Sequence, residues 1–257
     1  MQKMYLSQIF VATLLICGVN LLVPTDVSAE GWGTVTGQFV YDGPVPERVV
    51  QRKKGDANIK DAAVCAKGDH FNNDLVINPK NNGIQNAFMF LKKAKVIHPD
   101  LKSSKDKTVV FDQKGCTFIP HAMVVRTDQK VLVKSGDPVG HNTHTNPFRN
   151  EPVNFMMNPN DRKGTEVANV IGEKYPTKVT CDIHPWMTAY WLIVDHPYAV
   201  VTDKDGKFTI KNLPAGKNVF GSWHEKSGHL EKTITVDVKA GETVDLGKIK
   251  IKASKFK

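Results

Sequence analysis

The run Cys181-Asp182-Ile183-His184-Pro185-Trp186-Met187 places a thiol, an imidazole and a thioether in one short loop. A Cys with two His in a trigonal plane, plus a weak axial Met, is the donor set that suits copper for electron transfer. The missing imidazole has to come from elsewhere, and Gly140-His141-Asn142-Thr143-His144 offers it upstream. The competing reading of the same loop is a buried core cysteine beside a turn containing His and Pro.

Those donors need strands to hold them, and the strand signals are plentiful. Segments 33–41 and 87–97 are rich in apolar and β-branched residues, as are 118–126 and 130–134, which Thr127-Asp128-Gln129 would join as a hairpin. In 175–181 the odd positions Tyr175, Thr177, Val179 and Cys181 share one face and point the sulfur inward, while Lys174, Lys178 and Thr180 face water. Segment 188–194 is apolar on both faces, which implies a layer packed outside the first sandwich. The C-terminal segment is the natural layer: short strands alternate with turns from Pro197 onward, as in a small second sandwich. Asp203-Lys204-Asp205-Gly206 begins like a calcium loop but lacks its glutamate, so it reads as a β-turn.

Residues 1–29 read as an export signal. Lys3 gives a charged start, Ile9 begins a mostly apolar stretch, and Val27-Ser28-Ala29 offers a small-residue cleavage site. Asn20 interrupts the apolar stretch, which is short for a retained membrane span. Cys17 follows bulky Leu14-Leu15-Ile16, which disfavours lipidation. Signal removal leaves Cys65, Cys116 and Cys181 in a periplasmic or secreted protein. Cys65 and Cys116 are expected to pair in an oxidising compartment, leaving Cys181 free for a metal.

Net charge is +9, and removing the signal leaves it unchanged because Lys3 and Asp26 cancel. Lysines cluster at Lys53-Lys54, Lys92-Lys93, Lys102 to Lys107 and along the C-terminal tail. Such an exported protein would be steered toward an acidic partner, an anionic surface or a polyanion. The clusters lack interleaved aromatics, which argues against nucleic acid. There is no Gly-rich phosphate loop, no pair of carboxylates around a cleft and no Ser-His-Asp order with supporting context. Every copper ligand is used and no substrate position or second metal is visible, so an enzyme is not expected.

With Cys181-x-x-His184-Pro185-aromatic-Met187 and His141-Asn142-x-His144 together, the chain resembles the amicyanins of the cupredoxin family. That resemblance implies His141, Cys181, His184 and Met187 as ligands of one type 1 copper ion, with Asn142 bracing the Cys loop. His144 is the rival for His141, and the Asn that follows His141 favours the earlier residue. His141 is expected to be buried. His184 is expected to show a ring edge at the surface, with Pro185 and Trp186 as an apolar rim and electron exit. The segment containing Thr202-Asp203-x-Asp205-Gly206-x-Phe208 and Leu213-Pro214-Ala215-Gly216 is similar to carboxypeptidase regulatory-like, transthyretin-type sandwiches. Amicyanins lack both this appendage and the stretch from Asp42 to Gln85, so no partner carries over with the site. His121 and His224 read as strand-end residues, the latter with a metal or substrate contact as its alternative. His70, His98, His196 and His229 read as surface or turn residues.

The expected fold is all-β. A cupredoxin-type Greek-key sandwich with an N-terminal insertion spans 30–196, and a smaller prealbumin-like sandwich spans 197–257. The expected function is a one-electron carrier serving a redox protein such as cytochrome c or a periplasmic dehydrogenase or oxidase. The alternative is a non-redox cell-envelope module binding carbohydrate or protein, with copper structural or incidental.

Overall fold

The strand Thr188–Val194 has apolar residues buried on both sides, and what covers each side organises the chain. Ala189, Trp191 and Ile193 enter one core with Val179, Cys181 and Met187. Tyr190, Leu192 and Val194 turn the other way, onto Phe88, Phe90, Ala199, Val201 and Trp223. Fully burying a side chain of this size contributes about 1.5–3 kcal/mol, so such a strand belongs between two layers. In the computed structural model, which describes residues 1, 31–168 and 170–256, those layers are two β-sandwiches. Residues 2–29 of the expected export signal lie outside the described residues. No helix among the described residues is long and apolar enough to cross a membrane.

The first sandwich carries the Cys–His loop. One sheet runs in the order Asn154–Met157, His141–Asn146, Thr177–Thr180, Thr188–Val194, Ala122–Arg126; the facing sheet runs Thr165–Ala168, Lys130–Ser135, Thr108–Gln113, Phe118–Ile119. Phe111, stacked on Phe118 and edge-on to Trp191, fills the space between them. The hairpin expected through Thr127-Asp128-Gln129 does not form. Ala122–Arg126 instead pairs in parallel with Thr188–Val194, while Lys130–Ser135 pairs in parallel with Thr108–Gln113 in the other sheet. The three residues cross between layers, anchored by Asp128 accepting from Ser104 and Lys107.

The second sandwich corrects the expected division at residue 197. Its three-stranded sheet is Lys207–Pro214, Trp32–Asp42, Thr243–Lys252, with the N-terminal strand in the centre. Its other sheet places Phe88–Leu91 between Ala199–Val201 and Gly216–His224, and Ile234–Val238 also pairs with Gly216–His224. Residues before 98 therefore supply a central strand to each sheet, and Phe39, Met89 and Leu91 share a core with Tyr198, Phe208 and Phe220. The N-terminal strand was legible as a strand, but its partner lies at the opposite end of the chain. Asp203-Lys204-Asp205-Gly206 forms a turn, with the Asp203 carboxylate accepting from the Asp205 and Lys207 amides.

The chain between these strands crosses the end of the first sandwich. Val50–Arg52 pairs with His70–Phe71, a single helical turn spans Ala62–Cys65, and Cys65 is disulfide-bonded to Cys116. Ile59 and Val64 rest on the core that contains Cys181.

Candidate metal centre

His141 and Cys181 reach the same end of one sheet because their strands are adjacent and antiparallel. Thr180 lies opposite His144 and Val179 opposite Thr145, so the chain leaves for the Cys loop beside the start of the His141 strand. The loop then folds back on itself: the Met187 amide donates to the His184 carbonyl (2.9 Å) and the Cys181 amide to the Met187 carbonyl (3.2 Å). Cys181, His184 and Met187 are all buried there. Alternation decides between the two upstream histidines. His141 shares the inward face with Thr143 and Thr145, whereas His144 lies with Asn142 on the opposite face. His144 spends its Nδ1 on the Asp182 carboxylate at 3.1 Å, outside the cluster.

Cys181 Sγ and one nitrogen from each of His141 and His184 lie within 4.8 Å of one another. The two Nδ1 atoms are 2.9 Å apart, and Cys181 Sγ is 3.8 Å from His184 Nδ1. Each ring's far nitrogen is tied to a carboxylate: His141 Nε2 to Asp137 at 2.8 Å, and His184 Nε2 to Asp61 at 3.0 Å. An ionised carboxylate only accepts, so both Nε2 atoms carry hydrogen and both rings turn Nδ1 toward the sulfur. Two lone pairs 2.9 Å apart repel unless a proton or a metal cation lies between them. The donor set therefore fits a soft or borderline cation held by one thiolate and two neutral imidazoles, with the Met187 thioether in the same core.

Without a metal the cluster balances its charge with protons. Burial works against the His141 imidazolium, but its hydrogen bonds to Asp137 and Cys181 prevail and push it up to about 9. Burial likewise opposes the Cys181 thiolate, and hydrogen bonds from His141 and His184 overcome it, bringing the thiol down to about 6. Asp137 is held below the usual carboxylate range: burial would raise it, but His141 and the amides of Cys116 and Gly115 prevail. Those two amides converge because Gly115 and Cys116 both have positive φ, 62° and 52°, as the central residues of a tight hairpin turn.

Asn142 holds the Cys loop from outside the core. Its Oδ1 accepts from the Asp182 amide at 2.7 Å, and its Nδ2 donates to Asp182 and Asn154. Pro185 is exposed, and Trp186 is half-buried with its Nε1 donating to the Cys116 carbonyl at 3.1 Å. The expected exposed edge of His184 is absent. The ring is fully buried, because Asp61 and the disulfide-tied segment lie over the nitrogen that was to face solvent. The rim is not purely apolar either, since Arg52 sits 5.5 Å above the Trp186 ring and His70 packs beside it. Among the other histidines, His196 is buried and not on the surface, His224 is buried at the end of strand Gly216–His224, and neither belongs to the cluster.

Asp137 and Asp61 were missed in the sequence. Asp137 precedes His141 by four residues, a spacing that a search for carboxylates near each ligand would have flagged. Nothing local marks Asp61, which meets His184 only through the fold.

No family model and no curated protein matches the chain. Among solved structures it is similar, over part of its length, to amicyanin from Paracoccus versutus (14% identity, 41% of this chain and 96% of that one, TM-score 0.28). A purple cupredoxin from Nitrosopumilus maritimus is similar at 17% identity, 34% of this chain and 99% of that one, with a TM-score of 0.26. A copper-containing nitrite reductase from Thermus scotoductus is similar at 14% identity and a TM-score of 0.30, over 34% of this chain and only 22% of the reductase's own length. Likeness at this level concerns part of the backbone, and the metal assignment rests on the donor geometry.

Proposed function

We propose that the protein holds one copper ion between Cys181, His141 and His184, with Met187 as a weaker fourth ligand, and carries single electrons between redox proteins outside the cytoplasm. The observation that carries this reading is the convergence of one thiolate sulfur and two Nδ1 atoms within 4.8 Å, with each imidazole fixed from behind by a carboxylate. Copper bound there would supply a one-electron couple. The chain's own contribution is rigidity: Asp137 and Asp61 set the ring orientations, Asn142 and the backbone hydrogen bonds set the loop, and the core excludes water. Ligands fixed in this way move little when charge changes. Trp186, whose ring centroid is 5.2 Å from that of His184, reaches the surface beside Pro185 and offers an electron its way out. Arg52 over that ring and the nearby lysines suit an acidic redox partner.

A structural role for the metal is favoured by one observation, the cover over His184. Adding one equivalent of Cu(II) and recording the visible spectrum and a voltammogram separates the readings. An electron carrier gives an intense thiolate-to-copper band and a reversible couple, and Cys181→Ser abolishes the band. A colourless loaded protein overturns the copper–thiolate assignment, and a coloured one without a reversible couple leaves the structural role.

A further inference from the structure

A cleft of about 520 Å³ opens at the seam of the two sandwiches, away from the Cys–His cluster, between the chain around Glu173–Tyr175 and the end of strand Phe88–Leu91, where Lys92 follows. Openings of this size at junctions between sandwiches are where small organic ligands bind. Four cations line this one, Lys92, Arg149, Lys174 and Lys232, against two carboxylates, Glu173 and Asp195. Glu173 is already committed: it accepts from the amides of Phe148, Arg149 and Asn150 and from the Asn150 side chain. Among the described residues, no carboxylate lies within ion-pair distance of any of the four cations. Uncompensated positive charge in a concave site attracts an anion.

The walls also offer a ring and an unused polar atom. Tyr175 is half-buried, with Phe148 and His229 edge-on at 5.6 and 5.7 Å and the Lys174 ammonium 5.3 Å from its ring. His229 Nδ1 is buried and has no hydrogen-bond partner among the described residues. An orphaned polar atom beside a cleft is a site where a ligand restores a missing bond.

We propose that this cleft binds a small organic anion with a planar apolar body. Arg149, Lys174 and Lys232 hold the acidic group, Tyr175 packs against the body, and His229 Nδ1 completes its hydrogen bonding with the ligand. The cleft lies apart from the metal ligands, so the proposal stands or falls independently of copper.

Isothermal titration of the full chain with 1-anilinonaphthalene-8-sulfonate, a ring-bearing sulfonate, tests it. The expected result is one saturable site per chain, weakened about ten-fold or more by the exposed double change Lys174→Glu/Lys232→Glu. Tyr175→Ala should weaken it as well, and Lys53→Glu/Lys54→Glu, at a distant cluster, should leave it unchanged. Circular dichroism and the melting temperature should hold constant in both lysine variants. Absence of binding, several equivalent weak sites, or equal affinity in the Lys174/Lys232 variant would overturn the proposal.

Discussion

The Asp61 carboxylate lies 3.0 Å from His184 Nε2, although 123 residues separate them in sequence. Asp61 stands in the left-handed region, φ 54° and ψ 39°, just ahead of the helical turn that leads into Cys65. It is the point at which the covering segment touches the Cys–His cluster. Carboxylates behind ligating histidines typically change metal affinity by about 10–100-fold when removed. Asp61→Ala should weaken Cu(II) binding in a chelator competition by about that factor, while the visible band persists because every ligand remains. Asp61→Asn, whose amide oxygen still accepts, should lie between it and the wild type. Equal affinity in all three would remove Asp61 from the site.

The cover is held by a few apolar contacts from Ile59 and Val64 and by the Cys65–Cys116 bond. Closing a loop across a sequence separation of 51 is worth about 4 kcal/mol in the chain-entropy account. The double variant Cys65→Ala/Cys116→Ala should lose roughly that much stability in urea. It should also become open to trypsin at Lys53, Lys54 and Lys60 before the strands are cut. Native-like resistance at those lysines would show that packing alone retains the cover.

Trp186 is half-buried under Arg52, with its ring beside His184. Trp186→Leu should leave the copper band nearly unchanged and slow electron self-exchange between two copies several-fold. Measuring the spectrum and the exchange rate on one sample separates a damaged site from a damaged route. An unchanged rate would place the route elsewhere.

His224 supplies a pH dependence outside the Cys–His cluster. It is neutral in the fold: Nε2 donates to the Gln85 carbonyl at 3.2 Å and Nδ1 accepts from the Lys226 amide at 3.3 Å, so a second proton would break the latter bond. Burial, with His121 nearby, brings its pKa down to about 4. The unfolded chain, with an ordinary value near 6.5, therefore binds more protons between those limits, and stability falls as the pH drops from about 6.5 toward 4. Between pH 7 and 4.5 this group should remove about 2–3 kcal/mol. Urea titrations at the two pH values should show that much less acid sensitivity in His224→Gln. Equal acid sensitivity would mean that the imidazole is already charged in the fold.

Local residues show clearly where period and type decide the outcome, and poorly where distant segments meet. Alternation through Thr177, Val179 and Cys181 correctly turned the sulfur inward, and the two-faced Thr188–Val194 strand required an outer layer. The same period separates His141 from His144, an inference available from their odd and even positions alone. The odd cysteine count left Cys181 as the free thiol, and it is free in the structure. Trp32–Asp42 was readable as a strand, but parallel pairing with Thr243–Lys252 is set by long-range packing. The cover over His184 has the same origin: Asp61 has no local signature, and only the path of the chain through the Cys65–Cys116 bond brings it to the imidazole.

The central placement of Trp32–Asp42 and Phe88–Leu91 makes the second sandwich the host and the sandwich that carries the Cys–His cluster an insert between its strands. Phe88–Leu91 and Ala199–Val201, adjacent in one sheet, pin the two ends of that insert together. While the insert is folded, it bridges the pinned ends like a short connector. When it unfolds, it becomes a loop of about a hundred residues, and closing such a loop costs about 2 kcal/mol more than closing one of about ten. Any ion that stabilises the Cys181 end of the insert would thus also raise the stability of host strands that it never touches. Metal loading should therefore shift the unfolding of both sandwiches together.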